Sequence, residues 1–209
     1  VANRLLLDTG AGLYLLLYSG EKSDGELPER VIATTIAHGL GGAVKGNVGR
    51  TKSVKIGGEE IGDVVTYFQQ VDPEIVDSTQ LLLREGVLGN SLLRRFNLVI
   101  DYVNDKVYTK ALRRSKKPIT FDRSGLLISA VGPNLNRFVI TAILPGSPAE
   151  EAGLKVGDRI KTINSTPFEL LTLSGLIKRL EAKPGKRIRL KIRRRHQTLK
   201  FEFRLRNLI

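Results

Sequence analysis

The feature that most constrains this chain is the run Leu5-Leu6-Leu7-Asp8-Thr9-Gly10-Ala11-Gly12. An apolar segment ends in an acid, a hydroxyl and a glycine, and a second apolar segment, residues 13–18, follows at once. A carboxylate set between two core-seeking segments is costly to bury unless hydrogen bonds or a partner stabilise it. Two readings follow. Asp8 is either a reactive group delivered by a strand, or a strand-end turn residue whose carboxylate caps the N–H of Gly10 or Ala11.

Residues 13–19 read as a short buried strand, 19–30 as a polar loop with Gly20, Gly25 and Pro28, and 31–37 as a β-branched strand. Residues 39–49 then hold five glycines in eleven positions between strand-like flanks, which suits a mobile hairpin lying against an extended ligand. No Gly-Lys-Ser/Thr follows, which argues against a phosphate cradle, and His38 at the base reads as solvated or capping. Residues 52–68 alternate as two strands about Gly57-Gly58, and 71–83, with Pro73, read as loop and a short strand. In residues 86–102, Val87-Leu88-Gly89 leads into a helical turn capped by Asn90 or Ser91, with Leu92, Leu93 and Phe96 as its apolar face and Asn97 ending it. A hairpin follows, 98–102 with 106–108, around Asn104-Asp105.

The Asp8-Thr9-Gly10 and Val87-Leu88-Gly89 elements together resemble retroviral-type, single-lobed aspartic peptidases over about half of the chain. That resemblance implies an acid-protease β-barrel over residues 1–112, with Asp8, Thr9 and Gly10 as catalytic loop and Gly39, Leu40, Gly41 and Gly42 as a flap over substrate. Such chemistry needs two carboxylates sharing a proton, so a single lobe implies a homodimer with Asp8 facing its twin in the second copy. Asp63, Asp77 and Asp101 lie in no matching motif, and Asp101 reads as a strand-end or turn residue. Gly12 departs from the family pattern, where a hydroxyl or acid is usual. The family also has an N-terminal hairpin, whereas here seven residues precede Asp8 and no Met opens the chain, so a fragment is expected.

Residues 113–120, with Arg113, Arg114, Lys116, Lys117 and Pro118, read as a linker. Beyond it, residues 144–164 run Leu-Pro-Gly-Ser-Pro-Ala-Glu-Glu-Ala-Gly-Leu-Lys-Val-Gly-Asp-Arg-Ile-Lys-Thr-Ile-Asn. This stretch resembles PDZ domains, and the likeness extends over residues 121–205, in the segment order of bacterial protease-associated modules. The resemblance implies a PDZ domain at 121–209, a small β-barrel with two helices, so that the whole chain is mainly β. It also implies a peptide ligand added as a strand beside Gly125, Leu126, Leu127 and Ile128, facing a helix over 171–180 with Leu173, Ile177 and Leu180 on one side. The alternative for 125–128 is an ordinary buried strand whose groove the protein fills itself.

Composition bounds the rest. The 209 residues suit one large domain or two of about 100. No apolar run approaches the roughly 18 residues of a membrane span. There is no cysteine and only two histidines, so no metal or other cofactor is expected; methionine and tryptophan are also absent. Net charge is +13, and residues 178–206 hold 13 basic residues against two acidic ones, a net of +11. No aromatic platform accompanies these charges, so a solvated basic strand face is favoured and nucleic acid is not the expected partner. The expected function is therefore a homodimeric aspartic endopeptidase acting on polypeptide substrate, with a PDZ module that binds extended or C-terminal peptide segments. The alternative is a peptide-binding scaffold without catalysis, and related fusions suggest the periplasm or cell surface.

Overall fold

The computed structural model describes residues 4–19, 27–39, 42–70 and 84–209. Leu40, Gly41, Asp77 and the loop expected at 71–83 lie outside them. The chain divides into two compact units, Val1–Ile119 and Thr120–Leu208.

The first unit contains strands β1 (Leu5–Asp8), β2 (Leu15–Ser19), β3 (Ile32–Gly39), β4 (Gly42–Ile56), β5 (Glu59–Gln70) and β6 (Gly86–Gly89). The helical turn α1 (Asn90–Leu93), the strands β7 (Phe96–Asp101) and β8 (Lys106–Ala111) and a 3-10 turn at Arg113–Lys116 complete it. The six strands β1 to β6 form one sheet in the order β1-β6-β2-β5-β4-β3, with β1–β6 and β2–β5 parallel. Among the described residues this sheet is open, with β1 and β3 at its edges, so the expected closed barrel is corrected. Closure would need β1 and β3 to pair, and they stand at opposite ends of the ladder.

Burial explains the central strands. In β5, Val64, Val65 and Thr66 are buried in succession, as in a strand covered on both faces. The Thr66 hydroxyl is satisfied by Thr51 Oγ1 at 2.8 Å and Val64 O at 3.0 Å. All four residues of β6 are buried, and a Cβ at Gly89 would overlap the Leu13 carbonyl, so only glycine lets these two backbones approach so closely. Past Gly89, the N–H groups of Asn90 and Ser91 donate to Ala11 O and Leu13 O, and Ser91 Oγ donates to Gly12 O. The loop carbonyls thus take the place of the side-chain cap expected from Asn90 or Ser91; Gly89 is the N-cap residue. Leu92, Leu93 and Phe96 are buried as their spacing requires, although Phe96 already belongs to β7. The β7–β8 hairpin is held at its turn by Asp101, whose carboxylate accepts from Val103 N, Asn104 N and Asn104 Nδ2. Those bonds hold its carboxyl below the usual range.

Residues 113–117, read above as linker, are fastened down within this unit. Arg95 is 7% exposed, and its guanidinium donates to the carbonyls of Arg114, Ser115 and Lys117 at 3.1, 2.9 and 2.7 Å. Backbone carbonyl dipoles thus solvate the buried cation, and the Tyr14 ring lies 5.9 Å from it.

The second unit contains β9 (Leu126–Val131), β10 (Arg137–Ile143), α2 (Pro148–Glu151), β11 (Arg159–Ile163), β12 (Thr166–Pro167), a 3-10 turn at Phe168–Leu170, α3 (Leu173–Leu180), β13 (Arg187–Arg194) and β14 (Gln197–Arg204). Its antiparallel sheet runs β14-β13-β11-β10-β9, with β12 on β11; it too is open rather than a barrel. Along β13, Ile188, Leu190 and Ile192 enter the core while Arg187, Arg189, Lys191 and Arg193 face solvent. Period-two alternation thus places the basic excess on one face of the β13–β14 ribbon. The core is built from Leu126, Phe138, Ile140, Ile160, Ile163 and the three β13 residues, sealed by Leu176 and Leu180 of α3.

Candidate peptide-binding edge

Loop 122–125 delivers the chain into β9, and its geometry comes from one carboxylate. Asp122 Oδ1 accepts from Ser124 Oγ at 2.7 Å, and Oδ2 accepts from Ser124 N at 3.0 Å and from Gly125 N. Ser124 Oγ in turn accepts from Leu126 N at 3.1 Å. Three consecutive N–H groups at the mouth of β9 are thus satisfied from within the loop. The Asp122 carboxyl is raised to about 6: burial is the largest cause, the bonds from Ser124 and Gly125 oppose it, and the charge of Glu181 adds to it. Arg123 sends its guanidinium the other way, to Glu181 O at 2.5 Å, Ala182 O at 3.3 Å and Asn207 Oδ1 at 2.8 Å.

Gly125 is a position that only glycine fills. Its φ is +83°, and a Cβ there would overlap Ser147 Cβ and Oγ. Ser147 is fully buried and caps α2, accepting from Glu150 N. Leu144 N donates to Gly125 O and Ala149 N to Ser124 O, so the loop is fixed on both sides.

Beyond the loop, β9 pairs with β10 along one edge, and its other edge ends the sheet. Helix α3 packs against β9. Its N-cap is Thr172, whose Oγ1 accepts from Gly175 N at 3.1 Å. Of the expected face, Leu180 turns into the core together with Leu176, whereas Leu173 is half-buried and Ile177 is 38% exposed. A helix of eight residues beginning at Leu173 has two apolar stripes, and the core takes the one containing Leu176. On β9, Leu126 is buried, and Leu127 and Ile128 are partly exposed. The sequence reading missed Asp122; its signal is an acid two and three residues ahead of Ser124 and Gly125, the spacing of an Asx turn.

The loop around Asp8 is arranged differently. Asp8 Oδ1 accepts from Gly10 N at 2.8 Å and Ala11 N at 3.0 Å, while Thr9 and Gly10 are exposed. Gly39 and Gly42 pair as the end residues of β3 and β4. Asp63 forms an exposed ion pair with Arg50 at 3.0 Å. Among the described residues there is no group of three His, Cys, Asp or Glu that could hold a metal ion, and no helix is long and apolar enough to cross a membrane.

Comparison with known proteins gives a family for one part of the chain. Residues 139–194 match the PDZ domain family. No curated protein matches the chain. Among solved structures, a photosystem II D1 C-terminal processing protease is 24% identical, covering 41% of this chain and 23% of that one, with a TM-score of 0.38. The HtrA-type protease AlgW with decapeptide is 15% identical, covering 88% and 63%, with a TM-score of 0.42. A serine endoprotease from Yersinia pestis is 12% identical, covering 88% and 64%, with a TM-score of 0.35. The chain spans less than two thirds of the length of each of these three proteins.

The retropepsin-like aspartic endopeptidase expected from the sequence is corrected. The family that matches is the PDZ domain family, over residues 139–194, and the structure supplies a physical reason for the correction. The Asp8 carboxylate is engaged by the N–H groups of its own turn, as in the capping alternative, and it sits on an open sheet rather than in a barrel. The flap role of residues 39–42 and the homodimer were implied by that chemistry alone. What the chain does contain, on the match to residues 139–194, is a PDZ domain.

Proposed function

We propose that the chain is a peptide-binding protein whose PDZ domain takes an extended polypeptide segment as an added strand on β9, antiparallel to it. The observation that carries this reading is the position of β9: it is the last strand of its sheet, hydrogen-bonded along one edge only, beside α3. In such an arrangement main-chain hydrogen bonds supply affinity and side-chain pockets supply selectivity. Gly125 shapes the entry, and Leu126 anchors the strand in the core. Beyond Leu126, whose N–H is taken by Ser124 Oγ, backbone groups of β9 offer donors and acceptors to the ligand, and Leu173 and Ile177 supply apolar contact to its side chains.

The test is a decapeptide array probed with the full chain and with Ile177→Asp. Ile177 is exposed enough for the substitution to leave the melting temperature nearly unchanged. The expected result is a loss of roughly tenfold or more in binding, the scale of one desolvated apolar contact at a groove. Undiminished binding by a folded Ile177→Asp variant would refute this placement of the ligand.

A further inference from the structure

A strand added antiparallel to β9 has its C-terminal end beside the N-terminal end of β9, which is loop 122–125. The chemistry of that loop therefore decides whether the ligand can end there. A free α-carboxylate needs unengaged N–H donors or a cation, and the loop offers neither. The N–H groups of Ser124 and Gly125 donate to Asp122, and that of Leu126 donates to Ser124 Oγ. The guanidinium of Arg123 is turned onto Glu181 O, Ala182 O and Asn207 Oδ1. An arriving carboxylate would also meet the negative charge of Asp122 with Glu181 behind it, and two carboxylates cannot share one site while both are ionised.

We propose that the β9 edge selects an interior stretch of an extended polypeptide over a chain end bearing a free carboxylate, with Asp122 as the residue that sets the preference. The inference rests on strand addition at β9 and goes beyond it by naming which part of a polypeptide is taken. Asp122 mimics the terminal carboxylate that the loop would otherwise receive. A ligand whose backbone runs on past the loop brings only neutral amides to this place and needs nothing displaced.

The experiment uses the immobilised full chain and two phage libraries of the same random heptapeptides. One library ends in a free carboxylate, and the other is followed by a fixed Gly-Ser tail. The expected result is preferential enrichment of the tailed library. One enriched sequence, synthesised as free acid and as carboxamide, is then expected to bind more tightly as the amide, by about tenfold. Equal or tighter binding of the free acid overturns the proposal and leaves strand addition standing; enrichment from neither library overturns both. Asp122→Asn keeps the side-chain shape and removes the charge, and Asp122→Ser is a second route to the same end. In whichever variant melts cooperatively, the acid is expected to gain on the amide by about tenfold, and an unchanged ratio removes Asp122 from its assigned role. If neither variant folds, the acid and amide titrations of the unmodified chain decide the matter alone.

Discussion

Removing Arg194 is expected to cost the second unit much of its stability. Asp158 is 1% exposed and accepts a bidentate pair from Arg194, Nε to Oδ1 and Nη2 to Oδ2, both at 2.7 Å. Among the described residues its carboxylate accepts one further hydrogen bond, from Lys155 N at 2.9 Å. In Arg194→Ala the Asp158 side chain stays buried and short of two donors. Breaking one side of a buried pair costs about 3–5 kcal/mol. Because the Arg194 side chain is 28% exposed, water can partly replace it, and the lower end, about 3 kcal/mol, is the better figure. For a unit of this size that lowers the melting temperature by roughly 12–24 °C. Asp158→Asn keeps an acceptor for Lys155 N and needs no countercharge, so adding Arg194→Ala to it is expected to cost only about 1 kcal/mol. The coupling across the cycle is then about 2 kcal/mol. All five tyrosines lie in the first unit, so their fluorescence does not report this transition. Hydrogen exchange of peptides from residues 120–208 is the suitable readout. A coupling below about 0.5 kcal/mol would show that solvent, not the arginine, stabilises Asp158.

Three further outcomes are expected. Gly125→Ala forces an L-residue to φ +83° and drives a Cβ into buried Ser147, so the second unit is expected to lose about 2–4 kcal/mol in urea titration. Asp122 has a folded value raised from 3.8 to about 6, so the folded state binds the proton more tightly. Stability from this group is therefore present at low pH and is lost as pH rises between those values, by up to about 3 kcal/mol; Asp122→Asn, followed by urea midpoints across that window, is expected to lose correspondingly less than the unmodified chain. Lys191 and Lys200 stand directly opposite each other on the exposed ribbon, and Lys191→Glu is expected to stabilise by about 0.2–1 kcal/mol at low salt and less at high salt.

The sequence showed the second unit in more detail than the first, for physical reasons. Basic residues alternate with Ile188, Leu190 and Ile192 in a period of two, and the observed strands fall within one residue of the expected 187–193 and 198–204. The glycines and prolines around Ser147 also mark a turn that local chemistry alone determines. By contrast, β1 pairs with β6 across about eighty residues, and nothing local in Leu5–Asp8 or Gly86–Gly89 encodes that register or the openness of the sheet. At Asp8 the residues offered two readings, and hydrogen-bond geometry was needed to choose between them. On α3, Leu173, Leu176, Ile177 and Leu180 provide two apolar stripes over two turns, so the burial of Leu180 with Leu176 was not legible in the sequence. The Asx pattern at Asp122 is visible in the sequence, but that its partners are the N–H groups at the mouth of β9 emerges only once the loop is folded.

The two margins of the second sheet differ in a way that gives the domain a direction. On β14, Lys200, Glu202 and Arg204 stud the outermost strand with charge, a finish that discourages further pairing. On β9 the sequence Leu-Leu-Ile-Ser-Ala-Val carries no charge at all. Growth by strand addition is thus open at one side and blocked at the other. Two copies that met margin to margin through β9 would satisfy each other and stop, so the same asymmetry that would admit the proposed ligand would also prevent endless stacking.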